Sequence, residues 1–287
     1  MENSAQPIVT IGIPAFNSAQ SISKTINSVL NQTFKNFELI ISDNASTDST
    51  SSICMEYAKK DPRIKYIRQE KNIFIWPNFN YLVNLAEHKY FVWLGADDYW
   101  ESTFLEKNVS FLESNPNFVG SIGEIDFFGK YLHRYQTNGK FLKHSSVKPM
   151  LGSYPEKIKL LLKTPASMMY GVYRTDPLKK SIVKNNRLKH EYEFLIPLLK
   201  YGDFNVLDDV LLHRSADGMS SRGQFRLMRN FEYTMFEILT ILIPIFKLLL
   251  RDLGIKFIFK NFGSCLHLVY VNYGRLVLDL LRKIKKI

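Results

Sequence analysis

Cysteine is scarce in this chain: Cys54 and Cys265 are the only two in 287 residues. They are too far apart to form a short-spaced ligand pair, which removes disulfide frameworks and cysteine-based metal sites and makes a reducing compartment the simpler setting. Phosphate cradles are missing too. No G-x-x-x-x-G-K-[ST] occurs, and no G-x-G-x-x-G follows the first apolar run, so P-loop and dinucleotide-binding readings lose their anchor. Long uncharged stretches are also lacking. The longest near the C-terminus are Ile238 to Phe246 and Asn261 to Gly274, nine and fourteen residues, short of the ~18 that suggest a bilayer span. Met1 to Pro7 is polar, so no signal peptide is expected there.

What is present describes a packed globule. Hydrophobic residues make up 46% of the chain and aromatics 14%, enough for one large α/β core with an appendage. The net charge of +11 is unevenly placed. From Arg222 onward 12 Lys/Arg stand against 4 Asp/Glu, which leaves residues 1–221 nearly neutral. The basic residues are interleaved with large aliphatics and not with base-stacking aromatics, so no nucleic acid is expected as a partner.

Ile8 to Pro14 reads as a buried strand, and the stretch to about Thr33 as a helix. Phe37 to Ser42 is a second strand, Ser49 to Lys60 a second helix and Ile64 to Ile67 a third strand. This alternation predicts a parallel sheet with right-handed crossovers. Each strand exit is polar, and ligands of open α/β sheets bind beyond the carboxyl ends of the strands. The sharpest exit is Phe91-Val92-Trp93-Leu94-Gly95-Ala96-Asp97-Asp98, an apolar run that stops on two carboxylates. Adjacent carboxylates repel unless a cation intervenes, so a hard divalent metal shared with substrate phosphates is one reading. A helix cap with a solvated neighbour is the other. Asp43, Asn44, Ser46, Thr47 and Asp48 suit a ligand or a turn equally.

Val9 to Asn17, the run Gln32-Thr33-Phe34 before Phe37 to Asp48, and Ala96-Asp97-Asp98 together resemble the family 2 glycosyltransferases over roughly residues 7–221. The resemblance implies a GT-A fold: a Rossmann-like, mostly parallel sheet with flanking helices. It divides residues 1–221 into a nucleotide-sugar half, 7–123, and an acceptor half, 124–221. It further implies an inverting, metal-dependent transferase using Mg2+ or Mn2+ and a nucleotide-sugar donor, with UDP-sugars favoured. By the same resemblance Pro14, Ala15 and Asn17 line the nucleotide pocket, Asp43 and Asp48 bind the nucleoside side, and Asn72 and Asn80 belong to the donor segment. Phe74 stands where that family has glycine, and Gly95 where it has the first carboxylate of its metal motif, leaving Asp97 and Asp98 as metal ligands, with Asp97 also at the donor. Glu191 matches the catalytic base, with Glu193 as second choice; a place in a helix's first turn, favoured by the helix dipole, is its plain structural role. Asp217 and His213 lie near the family's diphosphate histidine. Met169 to Arg174 resembles the family's Gly-x-Tyr-Arg strand.

Residues 222–287 read as a basic tail of two helices, Phe231 to Leu250 and Leu253 to Ile284. Leu276, Val277, Leu280, Leu281 and Ile284 share a face beside Arg282, Lys283, Lys285 and Lys286, which suits the anionic inner surface of the cell membrane and a cytoplasmic, peripheral location. Packing on the core or on a second copy is the alternative. Surface-polysaccharide or lipid-linked glycan assembly is the setting the resemblance implies. A non-catalytic, nucleotide-binding scaffold is the rival.

Overall fold

The computed structural model describes residues 7–130, 136–137, 140–141, 147–164, 166–183, 190–217 and 242–270. Four parallel strands form one flank of the sheet: β1 (Val9–Ala15), β2 (Phe37–Asp43), β3 (Ile64–Arg68) and β4 (Tyr90–Trp93). Three helices follow the first three strands in turn: α1 (Ile22–Leu30), α2 (Thr50–Lys60) and α3 (Ile75–Leu85). β2 and β4 are buried along their whole length, as expected of near-continuous apolar runs in a sheet covered on both faces.

Beyond β4 the sheet becomes mixed. The short β5 (Tyr99–Trp100), α4 (Phe104–Ser114) and the long β6 (Phe118–Phe128) come next in the chain. A two-residue pair, β7 (Gln136–Thr137) with β8 (Lys140–Phe141), forms a separate ribbon. Then come α5 (Tyr154–Leu161), β9 (Val172–Arg174), α6 (Thr175–Ser181), α7 (His190–Leu198) and β10 (Asp203–Ser215). The eight-stranded order is β3-β2-β1-β4-β9-β6-β10-β5, with β9 antiparallel to both its neighbours and β5 antiparallel to β10. One sheet therefore runs through both expected halves, and β6 straddles residue 123.

Several elements differ from the sequence expectation. The first helix stops at Leu30, because Gln32 turns back to cap α4, accepting from the Leu105 N–H at 3.0 Å. Ala166–Tyr170 is a 3-10 turn, so the strand expected from Met169 begins only at Val172. In the tail, α8 (Ile243–Lys260) runs through the expected gap between the two helices and breaks instead at Gly254, at φ 75°. Residues 262–270 are again helical. α8 buries Ile245 and Leu249 and packs on α7. Asp252 fastens it: its carboxylate pairs with Lys200 at 2.9 Å and accepts from the Tyr154 hydroxyl at 3.3 Å. The expected face Leu276 to Ile284 and its basic residues lie outside the described residues.

Candidate functional site

The site begins where β1 and β2 end side by side. Ala15 is in register with Asp43 and Pro14 with Ser42, and the Asn44 N–H donates to the Ala15 carbonyl at 2.8 Å. Asn17 has φ 48°, a conformation Asn tolerates better than most residues. Its side-chain oxygen accepts from the Thr47 N–H at 2.8 Å, and its own N–H donates to Ser46 Oγ at 2.9 Å. Asp48 closes the same seam, accepting from the Ala19 N–H at 3.2 Å and the Thr50 N–H at 3.0 Å. Burial works against its charge, yet the Thr50 and Ala19 hydrogen bonds hold it below the ordinary aspartate range.

Asp43 is fully buried, and protein groups meet both of its oxygens. Oδ1 accepts from the Ser46 N–H at 2.9 Å; Oδ2 accepts from Tyr66 at 2.7 Å and pairs with Arg68 at 2.9 Å. The β3 residues Tyr66 and Arg68 thus belong to this pocket, a role sequence reasoning missed because they lie one strand away. Next to it, burial first and then the negative Asp43 and Asp48 push the Cys54 thiol up to about 12.

The 72–74 loop is stitched onto the β2 exit. Asn44 donates to Asn72 Oδ1 at 3.0 Å and to the Phe74 carbonyl at 3.1 Å, and the Ile73 N–H returns a bond to Asn44 at 2.8 Å. Phe74 has φ 69° and ψ 175°, a region essentially reserved for glycine that costs other residues about 1–3 kcal/mol. Asn80, eight residues on from Asn72, is buried on α3 and donates to the Val183 carbonyl at 2.9 Å. Asn72 is part of the laced mouth; Asn80 holds α3 to the segment after α6.

Asp97 and Asp98 occupy a turn between β4 and β5, closed by the Asp98 N–H on the Gly95 carbonyl at 3.0 Å. α1 grips that turn, with Ser21 donating to the Ala96 carbonyl at 2.8 Å and Thr25 to the Asp98 carbonyl at 2.7 Å. A Cβ at Gly95 would lie 2.7 Å from Asp98 Oδ2 and 3.3 Å from Asp97 Oδ1, so this glycine lets both carboxylates fold over the main chain. Asp98 is 3% exposed. Its Oδ1 accepts from the Ser215 N–H at 2.8 Å, and Oδ2 faces Arg214 Nε at 3.4 Å. Burial raises its pKa, while Arg214 and the Ser215 N–H pull the other way without cancelling the rise.

Arg214, also missed from sequence, links these carboxylates to the other side of the cleft. Its guanidinium lies 4.2 Å from the centre of the Tyr170 ring and donates to the Tyr170 hydroxyl at 3.2 Å. Burial raises the Tyr170 pKa; Arg214 opposes that, and Asp98, Asp97 and Glu191 add to it. The Tyr170 phenol therefore lies within the fields of all four charged groups. The 3-10 turn carrying Tyr170 packs against α7, whose first turn presents Glu191. Glu191 is half-buried, and its Oε2 is buried with no hydrogen-bond partner among the described residues. Glu193 is 3% exposed. His213 belongs to the sheet edge, stacked on Tyr99 at 4.5 Å and 2.7 Å from Glu101 Oε1.

Among the described residues no three His, Cys, Asp or Glu side chains converge as a metal cage. Mg2+ does not need one, since it is commonly held by one or two carboxylates together with substrate phosphates and water. The half-buried Asp97 beside Asp98 supplies a donor set of that kind.

A parallel flank whose laced exits end on carboxylates, joined to a mixed flank against which a helix carries a buried acid, defines a GT-A-like α/β protein. The chain belongs to glycosyl transferase family 2: the model of that description matches residues 10–180. A curated relative, the Escherichia coli UDP-Glc:alpha-D-GlcNAc-diphosphoundecaprenol beta-1,3-glucosyltransferase WfaP, is 35% identical over 111 residues, 39% of this chain and 43% of its own. Relatives 35–37% identical are matched over only 39–43% of their length. Among solved structures, S. aureus TarS 1-349 in complex with UDP-GlcNAc superposes with a TM-score of 0.57 at 20% identity, covering 81% of this chain and 67% of that one. Mannosyltransferase PcManGT from Pyrobaculum calidifontis, in complex with GDP-Man and Mn2+, gives 0.53 at 14% identity, covering 91% and 74%. These structural likenesses establish the fold.

Proposed function

We propose that the protein transfers a glycosyl group, with inversion, from a nucleoside-diphosphate sugar to a hydroxyl of a glycan or lipid-linked acceptor. The observation that supports this reading is the buried Glu191 oxygen with no hydrogen-bond partner among the described residues, on the helix that packs against the turn carrying Tyr170, whose hydroxyl accepts from Arg214, the partner of Asp98. Residues 7–123 supply the donor side and 124–221 the acceptor side of one sheet. Pro14, Ala15, Asn17, Asp43, Asp48 and Asn72 shape the nucleoside pocket, and Asn80 braces the helix beneath it.

The reaction balances with one base. Glu191 accepts the acceptor hydroxyl's proton as that oxygen bonds to the anomeric carbon, and the bond from that carbon to the diphosphate oxygen breaks, releasing the nucleoside diphosphate. A single displacement inverts the centre and requires no second carboxylate as nucleophile. Mg2+ or Mn2+ held at Asp97 and Asp98 would supply charge neutralisation to the diphosphate. Arg214 keeps Asp98 oriented and balances its charge. The two solved neighbours are complexes with UDP-GlcNAc and with GDP-Man, and one relative is named for a UDP-sugar and a diphospho-lipid acceptor. These favour a UDP-sugar donor and a lipid-linked acceptor at the inner membrane surface, where the basic 222–287 tail attaches. The test is nucleoside-diphosphate release across a panel of UDP- and GDP-sugars, with Mn2+ and with EDTA. Metal-stimulated release from one donor is expected; donor binding without turnover of any donor would leave the scaffold reading in its place.

A further inference from the structure

Globular helices bury apolar side chains and expose polar ones. The end of the described chain exposes large apolar side chains as well. Across the two helical segments on either side of Asn261, the buried positions are Asn261, Ser264, Cys265 and Leu268. The exposed positions are Ile255, Phe259, Phe262, Leu266 and Tyr270, with Phe259 72% and Tyr270 76% exposed. Their spacings of four, three, four and four residues are those of one helical stripe. Of the ten large apolar side chains exposed among the described residues, seven lie between 243 and 270.

Charge on this stretch has one sign. Lys247, Arg251, Lys256 and Lys260 are exposed along it. Its only acid is Asp252, whose side chain is 4% exposed and paired with Lys200 and Arg251. No described helix is long and apolar enough to cross a membrane. An aromatic stripe flanked by lysines is instead the pattern of a helix lying in the plane of a bilayer interface.

We propose that Ile255, Phe259, Phe262, Leu266 and Tyr270 form the face that enters a bilayer surface rich in anionic headgroups, with Lys256 and Lys260 at the level of the lipid phosphates. A second copy of the chain is a poorer occupant, because it would oppose cation to cation. The inference rests on the function proposed above only in placing the acceptor at a membrane. It also gives that attachment a location: α8 packs on α7, which carries Glu191, and the stripe follows the break in α8 at Gly254.

The full chain is sedimented with vesicles of phosphatidylcholine alone or mixed with phosphatidylglycerol. It should pellet with the anionic vesicles, and Phe262→Trp should show a blue-shifted emission quenched by brominated lipid. Phe259→Ser and Phe262→Ser change exposed side chains and should each weaken partition by about tenfold or more, the scale of burying one phenylalanine. Lys256→Gln with Lys260→Gln should flatten the salt dependence. Donor binding by calorimetry, run alongside, should be unchanged in every variant; wild-type failure to bind donor would count against the transferase reading and leave this one standing. Recovery of the wild type in the supernatant with both vesicle types would overturn the proposal. So would vesicle binding indifferent to both serine substitutions, or a dimer in velocity sedimentation that Phe262→Ser dissociates without vesicle binding.

Discussion

Phe74 shows how single residues here are held against their own preference. Its glycine-like backbone persists because its own carbonyl accepts from the Asn44 side chain and its own N–H donates to Asn72 Oδ1. Phe74→Gly removes that strain, partly offset by the extra freedom of the unfolded chain, so a net gain of about 1 kcal/mol is expected. Denaturant titration checks it, and a loss of stability would show that the ring's packing outweighs the strain. The carboxylate pair divides by environment. Asp97→Asn should weaken Mn2+-dependent donor binding by about tenfold or more. Asp98→Asn should weaken binding similarly and lower the melting temperature more than Asp97→Asn does, since Asp98 is 3% exposed and accepts from the Ser215 N–H beside Arg214. Equal melting temperatures for the two variants, or full donor binding by both, would contradict this division. Asp97, Asp98 and Glu191 were legible because they sit at strand exits and a helix start. Tyr66, Arg68, Tyr170 and Arg214 were not, since each reaches the site from an element whose position only strand order reveals.

Elements were legible where hydrophobic period and turn chemistry agreed. β1, β2, β3, α2 and α4 lie within a residue or two of expectation. α3 went unread because Pro77, Asn78 and Asn80 interrupt its apolar pattern, although Asn78 and Asn80 are buried and bonded. α5 carried its own signal, the capping box Ser153-x-x-Glu156 with Pro155. β6 runs on to Phe128 although Glu124 and Asp126 interrupt its apolar pattern. The docking of α8 gives an acid-dependent prediction. Burial opposes the charge on Asp252, but Arg251 and Lys200 together hold its pKa below the ordinary value. The folded form therefore binds this proton less readily than the unfolded chain, so its contribution is present above the ordinary aspartate pKa and is lost as pH falls through the lowered one. Hydrogen-exchange protection in 243–260, taken relative to the intrinsic rate at each pH, should fall on acidification in the wild type, and Asp252→Asn should show the lower protection already at neutral pH. Protection that is high and independent of pH in both would show that Ile245 and Leu249 hold the helix unaided.

At the scale of the molecule, one sheet joins a parallel flank, whose exits are proposed to take the nucleoside, to a mixed flank that carries Arg214 and adjoins the turn of Tyr170 and α7. That division of labour was readable as a parallel α/β pattern followed by a less periodic half. The insertion of β9 between β4 and β6 was not, because the expected strand's own residues do not specify which neighbours it pairs with. The central claim is that this assembly places Glu191 as the base that deprotonates an acceptor hydroxyl at the anomeric carbon. It is tested most directly by single-turnover transfer from the preferred donor, comparing wild type with Glu191→Gln, alongside calorimetric donor affinity. The account predicts unchanged donor affinity with transfer slowed by about 100-fold or more, the scale of general-base catalysis. Transfer by Glu191→Gln at the wild-type rate, or a comparable loss found only in Glu193→Gln, would contradict it.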